Sequence, residues 1–381
     1  MTIQPFRVRL PDDTLQALRL RLDLTRWPDE PPGAGWSYGS DLAFMRDLVA
    51  HWREGYDWRA QEAMLNRFDH FMIEREGTRL HFIRQEGNGP EPTPLLLLHG
   101  WPGSVWEFHK LIPRLTDPAR FGGDERDAFT VIAPSLPGYG FSFVPGQARL
   151  DRVQMAEHLV SLMVDDLGHA RFAVQGGDIG SHVGSRIAAA HPARVIGLHL
   201  NFLGIRDVAL PAEPSDEERA YAADLKHWLT EETGYQWIQG TKPQTLSYGL
   251  TDSPAGLAAW MIEKFRSWSD CDGDLLSVYT RDELLTAVML YWATGAINSS
   301  FWPYYTSRHG DWSAARGPKI TVPTGYLSFP KEIVRPPRSL AERVFNIRHW
   351  TVATRGGHFA ALEQPDVLAQ DIRAFFRELP G

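Results

Sequence analysis

Residues 172–181 read Phe-Ala-Val-Gln-Gly-Gly-Asp-Ile-Gly-Ser, and this stretch decides the fold of the chain. Its first three residues form an apolar run that is typical of a buried strand, and a helix-like segment begins at Ser181. The glycines between them predict a sharp turn with one acid, Asp178, at its apex. A carboxylate there can attack a saturated carbon and become an ester. Because aspartate also caps ordinary helices, this stretch alone leaves a structural role open.

The neighbouring segments continue the alternation of strands and helices. Continuous apolar runs, which predict buried strands, lie at residues 95–98, 129–133 and 195–200. Helical patterns separate them, so we expect a mostly parallel sheet covered by helices on both faces. The strand pattern fades after residue 205, where tryptophan, tyrosine and helical patterns dominate, and it returns at residues 323–329 and 345–352.

This rhythm predicts four parts. They are an N-terminal helical extension (1–68), the first part of an α/β core (69–205), an inserted helical cap (206–318) and the second part of the core (319–381). A helical insertion in an α/β sheet is typical of a lid over a site at the carboxyl ends of the strands.

The composition narrows the class of protein. A net charge of −8 argues against a nucleic-acid surface and against docking on anionic membranes. The single cysteine, Cys271, excludes an internal disulfide and a cysteine-based metal cluster. No apolar run approaches the roughly 20 residues that span a bilayer, so we expect a soluble, cytoplasmic protein. The 14 tryptophans and 19 phenylalanines suit a large apolar pocket, although an aromatic-rich core would explain them equally well.

The pattern of residues 176–180 resembles the nucleophile elbow of the α/β-hydrolase fold, with Asp178 where most members carry serine. That fold implies a mostly parallel, eight-stranded sheet. Residues 99–103, His-Gly-Trp-Pro-Gly, follow the strand that ends at Leu98, where this fold supplies one donor of its oxyanion hole. We assign the two donors to the backbone N–H groups of Trp101 and Ile179. Since cis peptides are nearly confined to X–Pro bonds, Trp101–Pro102 is a candidate for one; a plain structural turn is the other interpretation.

The order of the remaining polar candidates also matches this fold. His358 lies on a glycine-rich loop after the strand that ends near residue 352, which is where the hydrolase base is found. Glu332 follows the preceding strand, and a carboxylate there would orient His358. Taken singly, His358 would be a loop residue and Glu332 a surface acid. The chain order of nucleophile, acid and base supports a catalytic triad of Asp178, Glu332 and His358.

The longer motifs resemble the epoxide hydrolases of this fold, in the microsomal-type branch that carries an N-terminal extension. The resemblance covers nearly the whole chain, and its most branch-specific part is Leu-Thr-Arg-Trp-Pro at residues 24–28. The other matching stretches are residues 99–104, 137–142, 176–178 and 357–363.

This resemblance implies that two cap tyrosines activate the epoxide oxygen, a choice that the residues alone leave open among 11 tyrosines. By motif match they are Tyr235 and Tyr304, with Tyr305 as the competing choice for the second. The implied reaction converts a small-molecule epoxide to a vicinal diol without a metal or organic cofactor. The resemblance is also compatible with a homodimer and with either detoxification or natural-product biosynthesis.

The chain departs from many relatives at one residue of the site, since Ile179 stands where they carry tryptophan. Because the oxyanion-hole donor is the backbone N–H of residue 179, isoleucine in place of tryptophan should be tolerated there. A haloalkane dehalogenase, which uses the same aspartate, is the alternative function; its halide is commonly bound by a side-chain donor after the nucleophile, and Ile179 has none. An esterase would carry a serine at this elbow, and this chain carries Asp178 instead. A non-catalytic binding protein on this fold would not need the complete set of catalytic residues.

Overall fold

The computed structural model describes residues 2–310 and 313–379, which form one nine-stranded sheet with helices on both faces. The strands are β1 Gln4–Phe6, β2 His70–Arg75, β3 Thr78–Gln85, β4 Thr93–Leu98, β5 Phe129–Pro134, β6 Phe172–Gly176, β7 Val195–Leu200, β8 Ile320–Ser328 and β9 Phe345–Val352. The α-helices that precede β7 are α1 Asp12–Asp23, α2 Leu42–Glu54, α3 Trp58–Leu65, α4 Leu111–Thr116, α5 Arg152–Ser161 and α6 Asp178–Ala190. Those that follow β7 are α7 Asp216–Glu231, α8 Gly234–Thr241, α9 Pro243–Asp252, α10 Pro254–Trp268, α11 Arg281–Trp292, α12 Ile297–Ser300, α13 Trp302–His309, α14 Arg338–Val344, α15 Ala360–Glu363 and α16 Pro365–Arg377.

The strand order, β1-β2-β3-β5-β4-β6-β7-β8-β9, brings the functional loops together. The strands β5, β4, β6, β7, β8 and β9, which are neighbours in that order, pair in parallel. The strands β1, β2, β3 and β5, also neighbours in that order, pair in antiparallel fashion. Leu98 at the end of β4 pairs with Gly176 at the end of β6. The loops that follow these two strands therefore emerge side by side at the carboxyl edge of the sheet, where α/β proteins bind their ligands.

Strand β4 shows why the central strands read as continuous apolar runs. Leu96 and Leu98 pack into the hydrophobic cluster on one face of the sheet, and Leu95 and Leu97 pack into the cluster on the other. All four are at most 1% exposed. A parallel strand buried on both faces needs apolar residues at every position, which is the pattern that predicted it.

Two expectations about local structure were wrong. The sheet has nine strands rather than eight, and the N-terminal segment is not wholly helical, because Gln4–Phe6 pairs with residues 70–72 of β2. Three residues are too short for a recognisable alternation, so only the tertiary pairing reveals this strand. The segment after β4 begins with a 3₁₀ turn, Val105–His109, which precedes α4.

The helices between β7 and β8 contact the N-terminal segment directly. Ser40 donates a hydrogen bond to the carbonyl of Ala259 in α10 (2.7 Å). The hydroxyls of Tyr56 and Thr286 lie 3.0 Å apart, which joins α11 to the loop before α3. The N-terminal helices thus pack against helices that cover the carboxyl edge of the sheet. Within the described residues, no helix combines the length and apolarity needed to cross a membrane.

Candidate active site

Asp178 is the first residue of α6, directly after the turn that follows β6. Its φ of 45° is in the left-handed region, where a residue with a side chain is strained. Two neighbouring positions must be glycine. A Cβ on Gly100 would collide with the Asp178 carboxylate, and one on Gly180 would collide with the carbonyl of Leu98. The turn is therefore tight enough to hold the carboxylate against the loop after β4.

Two backbone donors converge on this carboxylate. The N–H of Trp101 donates to Asp178 Oδ1 at 2.8 Å, and the N–H of Ile179 is a second donor. Trp101 reaches this position beside a cis peptide bond to Pro102, as the sequence had suggested. Both groups donate to the carboxylate of Asp178, so they could stabilise negative charge that develops on its oxygens.

His358 lies between Asp178 and Glu332. Its Nδ1 is 2.6 Å from Glu332 Oε1, and its Nε2 is 3.5 Å from Asp178 Oδ2. Glu332 follows β8 and His358 follows β9, and a backbone bridge between Lys331 and Gly357 holds the two loops together. His358 and Glu332 are 6% and 5% exposed, so water does not screen their interaction.

The electrostatics of the three side chains are coupled. Burial alone lowers the pKa of His358, but the charges of Glu332 and Asp178 outweigh it and hold that pKa well above its ordinary value. Burial alone raises the pKa of Asp178, but hydrogen bonding to His358 and the donors Trp101 and Ile179 hold it below its ordinary value. Asp178 is therefore ionised near neutral pH, and it faces a protonated imidazole.

Tyr235 and Tyr304 face the same carboxylate from the helices α8 and α13. Their ring centroids are 5.8 Å apart, and both rings contact the indole of Trp101. Burial raises the pKa of both phenols and the charge of Asp178 adds to it, although Arg206 partly opposes the rise at Tyr235, so each phenol is a hydrogen-bond donor at neutral pH. Tyr305 instead stacks on Trp302 and His309.

Two cavities meet at Asp178. The front cavity, about 310 Å³, is lined by Asp178, Ile179, Tyr235 and Tyr304 together with polar residues. Those polar residues are Arg152, His182, Arg206, Asp207, Thr233, Gln236, Ser307, Arg308, Ser313 and Arg316. The rear pocket, about 20 Å³, is lined by Trp101, Glu107, Gln175, Asp178 and His358 among others. The aromatic composition suggested an apolar pocket, and the front cavity is instead largely polar.

Three further residues around these cavities were not singled out by the sequence analysis. Arg152 in the front cavity follows an ordinary capping aspartate and looks like a surface residue. Glu107 in the rear pocket is half-buried, and burial raises the pKa of its carboxyl to about 8. Trp268 is 1% exposed and packs edge-on against His358 at 5.0 Å. Only the apparent excess of aromatic residues pointed towards the last of these.

The residues described by the structure include no cluster of three or more histidine, cysteine or acidic side chains that could hold a metal ion. The predicted site residues Asp178, Glu332, His358, Tyr235, Tyr304, Trp101 and Ile179 all lie around the two cavities.

Comparisons with known proteins agree with this arrangement. Residues 3–108 match the family model of the epoxide hydrolase N terminus, and residues 93–236 match that of the alpha/beta hydrolase fold. A provisionally named epoxide hydrolase of Stigmatella aurantiaca is 42% identical, with 99% of this chain and 85% of the relative covered. Epoxide hydrolase 1 of Sus scrofa is 38% identical, with 98% of this chain and 88% of the relative covered.

Solved structures are similar over the same extent. The juvenile hormone epoxide hydrolase of the silkworm Bombyx mori superimposes with a TM-score of 0.87 at 33% identity, covering 99% of this chain and 95% of its own. The Aspergillus niger epoxide hydrolase gives a TM-score of 0.88 at 30% identity, covering 100% and 97%. Because similarity at these identities extends over nearly the whole of both chains, this chain belongs to the epoxide hydrolase family of the α/β-hydrolase fold.

Proposed function

We propose that this enzyme converts an epoxide to a vicinal diol in two steps that share the carboxylate of Asp178. The observation that carries the proposal is the position of that carboxylate, with phenols on its front side and an imidazole 3.5 Å away. One side offers hydrogen-bond donors for a leaving oxygen, and the other offers a base for water.

In the first step, an oxygen of Asp178 attacks one epoxide carbon. A C–O ester bond forms while the C–O bond of the strained ring breaks. Tyr235 and Tyr304 donate hydrogen bonds to the oxygen that leaves the carbon, and one phenol gives it the proton that makes it a hydroxyl. Release of a proton from the imidazolium of His358 and uptake of one by the phenolate then leave His358 neutral and both phenols protonated. The raised pKa of both phenols supports this role because they remain protonated in the resting enzyme.

In the second step, His358 removes a proton from water, which attacks the ester carbonyl of Asp178. The oxyanion that results accepts hydrogen bonds from the N–H groups of Trp101 and Ile179. Its collapse breaks the ester C–O bond, and the departing oxygen takes the proton of the added hydroxyl, so the diol leaves, Asp178 is a carboxylate again and His358 is protonated. Esterification removes the Asp178 charge that helps to raise the pKa of His358. Loss of that charge lowers the pKa of His358, so the imidazole loses its proton and becomes free to accept one from water only after the first step.

The rear pocket is suited to the attacking water. Its volume of about 20 Å³ is close to that of one bound water molecule. Gln175 lines the pocket, and its buried Oε1 has no hydrogen-bond partner among the described residues. A buried acceptor without a partner is costly, and a water molecule that donates to Gln175 would remove that cost.

A single turnover in ¹⁸O-labelled water tests this mechanism. The covalent route puts the label into the Asp178 carboxylate first, and peptide mass spectrometry would detect it there. Direct attack of water on the epoxide puts the label into the diol at once and leaves Asp178 unlabelled, an outcome that would overturn the two-step proposal.

The alternative of a haloalkane dehalogenase receives no support from the relatives compared above, which are epoxide hydrolases. The division into an extension (1–68), a core in two parts (69–205 and 319–381) and a cap (206–318) remains our proposal, supported by the run of helices α7–α13 between β7 and β8. A cytoplasmic location, a homodimer, and a role in detoxification or natural-product biosynthesis remain predictions.

A further inference from the structure

Arg152 is an unusual residue in the front cavity. It is half-buried at the start of α5, and it lines the same cavity as Asp178. Its Nε is buried without a hydrogen-bond partner, and no carboxylate of the described residues forms an ion pair with its guanidinium. A partly buried charge without a partner costs free energy, so its presence in the folded protein needs a reason.

The other arginines of this cavity are occupied. Arg316 forms an ion pair with Asp207 at 3.0 Å. Arg206 donates to the side-chain oxygen of Gln236 at 3.0 Å and also lies 4.2 Å from the ring centroid of Trp228. Arg308 lies 3.9 Å from the ring centroid of Trp237. These contacts account for three arginines and leave only Arg152, among the described arginines of the cavity, without a protein partner.

The helix start gives no reason for an arginine at this position, and burial outweighs the favourable charge of Asp178, so the pKa of Arg152 lies below its ordinary value. Arg152 is the first residue of α5, where the helix dipole presents its positive end and favours acids over cations. Arg206 is a second positive charge nearby, and burial together with Arg152 and Arg206 holds the pKa of His182 well below its ordinary value. His182 is therefore neutral, and this wall of the front cavity is positively charged.

We propose that the natural substrate is an epoxide that also carries a carboxylate, and that Arg152 binds this carboxylate; this rests on the proposed epoxide hydrolysis. A guanidinium binds a carboxylate through two parallel N–H···O bonds, and one unpaired guanidinium matches one negative charge. The cavity volume of about 310 Å³ is at the small end of ligand sites, which favours a compact or slender acid over a bulky polycyclic epoxide.

The test compares ω-epoxy carboxylic acids of increasing chain length with their methyl esters, which have nearly the same shape and no charge. We expect the acid of suitable length to exceed its ester in kcat/KM by about tenfold or more, as expected for a hydrogen bond to a charged group. In Arg152→Met this acid-to-ester ratio falls by roughly 10- to 100-fold, and Arg152→Lys, which keeps the charge, retains part of it. Arg338→Met is the matched control, because Arg338 is exposed on α14 and pairs with Glu342.

The outcomes separate this inference from the function on which it rests. If the esters and styrene oxide are hydrolysed but the acids are not preferred, or if Arg152→Met leaves the ratio unchanged, the carboxylate proposal is wrong and epoxide hydrolysis stands. If no epoxide is hydrolysed at all, both proposals fail. Should Arg152→Met not fold, competitive inhibition of the parent by 3-phenyllactate and its amide replaces it; equal inhibition by the two would overturn the proposal.

Discussion

The front cavity and the rear pocket share one wall, the carboxylate of Asp178, and differ in almost everything else. The front cavity is about 310 Å³ and is lined by side chains from helices between β7 and β8 and by arginines. The rear pocket is about 20 Å³ and is built from loops at the carboxyl ends of the central strands. The difference indicates a division of labour, in which one side receives a variable substrate and the other a single invariant reactant, water.

The two cavities also differ in the structural elements that fix their shapes. The rear pocket is fixed by paired strands and by backbone contacts such as those of Gly100 and Gly180, where a Cβ has no room. The front cavity depends on how helices α8 and α13 pack over the sheet. Substitutions at the rear should therefore affect the chemistry for every substrate, and substitutions at the front should change which substrate reacts.

Replacement of Asp178 by asparagine should have the largest effect, since both sides use this carboxylate. We expect kcat to fall by a factor on the order of 10⁶, as when the nucleophile of a hydrolase is removed. The rate of diol formation at steady state measures this fall in kcat. Asp207→Asn, which removes an acid elsewhere in the front cavity, serves as the comparison. Comparable activity in the Asp178→Asn variant would mean that the two cavities do not share a nucleophile.

Replacement of His358 by glutamine should separate the two sides. The first step continues and the second becomes very slow, so kcat falls by about 10² to 10⁴, the contribution of a positioned base. Mass spectrometry of the intact protein should then show one substrate molecule bound per chain. His309→Gln, outside both cavities, is the control. Loss of turnover without an accumulated ester would contradict the assignment of His358 to the rear step alone.

Replacement of Tyr304 by phenylalanine should impair only the front step. We expect the rate of ester formation to fall by about 10², the cost of losing one donor to a developing oxyanion, without accumulation of the ester. Tyr305→Phe is the matched control, because Tyr305 stacks on Trp302 and His309 instead of lining the front cavity. Rapid-quench kinetics measure the rate of ester formation in both variants. A larger loss in Tyr305→Phe would reverse the choice between these tyrosines.

Replacement of Glu107 by glutamine should have the smallest effect, and we expect it in the pH dependence of thermal stability. Burial raises the pKa of Glu107 from an ordinary 4.5 to about 8, so the unfolded chain releases this proton at a lower pH than the folded protein. The parent is therefore progressively destabilised between these two pH values, by a few kcal/mol at most. The glutamine side chain has no proton that titrates in this range. The Tm of the Glu107→Gln variant minus that of the parent should therefore rise with pH until about 8.

Thermal unfolding across this pH range measures the difference. Glu342→Gln, at an exposed ion pair on α14, should give no comparable trend. A Glu107→Gln variant whose relative Tm is independent of pH would mean that Glu107 is already ionised in the folded protein, and that the rear pocket is more hydrated than its geometry suggests.

Much of the rear side could be predicted from the sequence, and much of the front side could not. The elbow at Asp178, the loop that carries Trp101 and the loop that carries His358 each follow a recognisable strand, so their positions follow from the fold. Tyr235 and Tyr304 were selected by family motifs rather than by any local pattern. Arg152 and Glu107 were missed because each looks like an ordinary residue of a helix or turn.

The sequence by itself determined the α/β architecture and the order of nucleophile, acid and base, because strand burial, tight turns and helix starts depend on neighbouring residues. The tertiary structure decided the extra strand β1, the sizes of the two cavities and the unpaired charge of Arg152. These depend on contacts between residues that are far apart in the chain. The guanidinium of Arg152 is exceptional because folding places it in the cavity of Asp178, although no carboxylate of the described residues forms an ion pair with it.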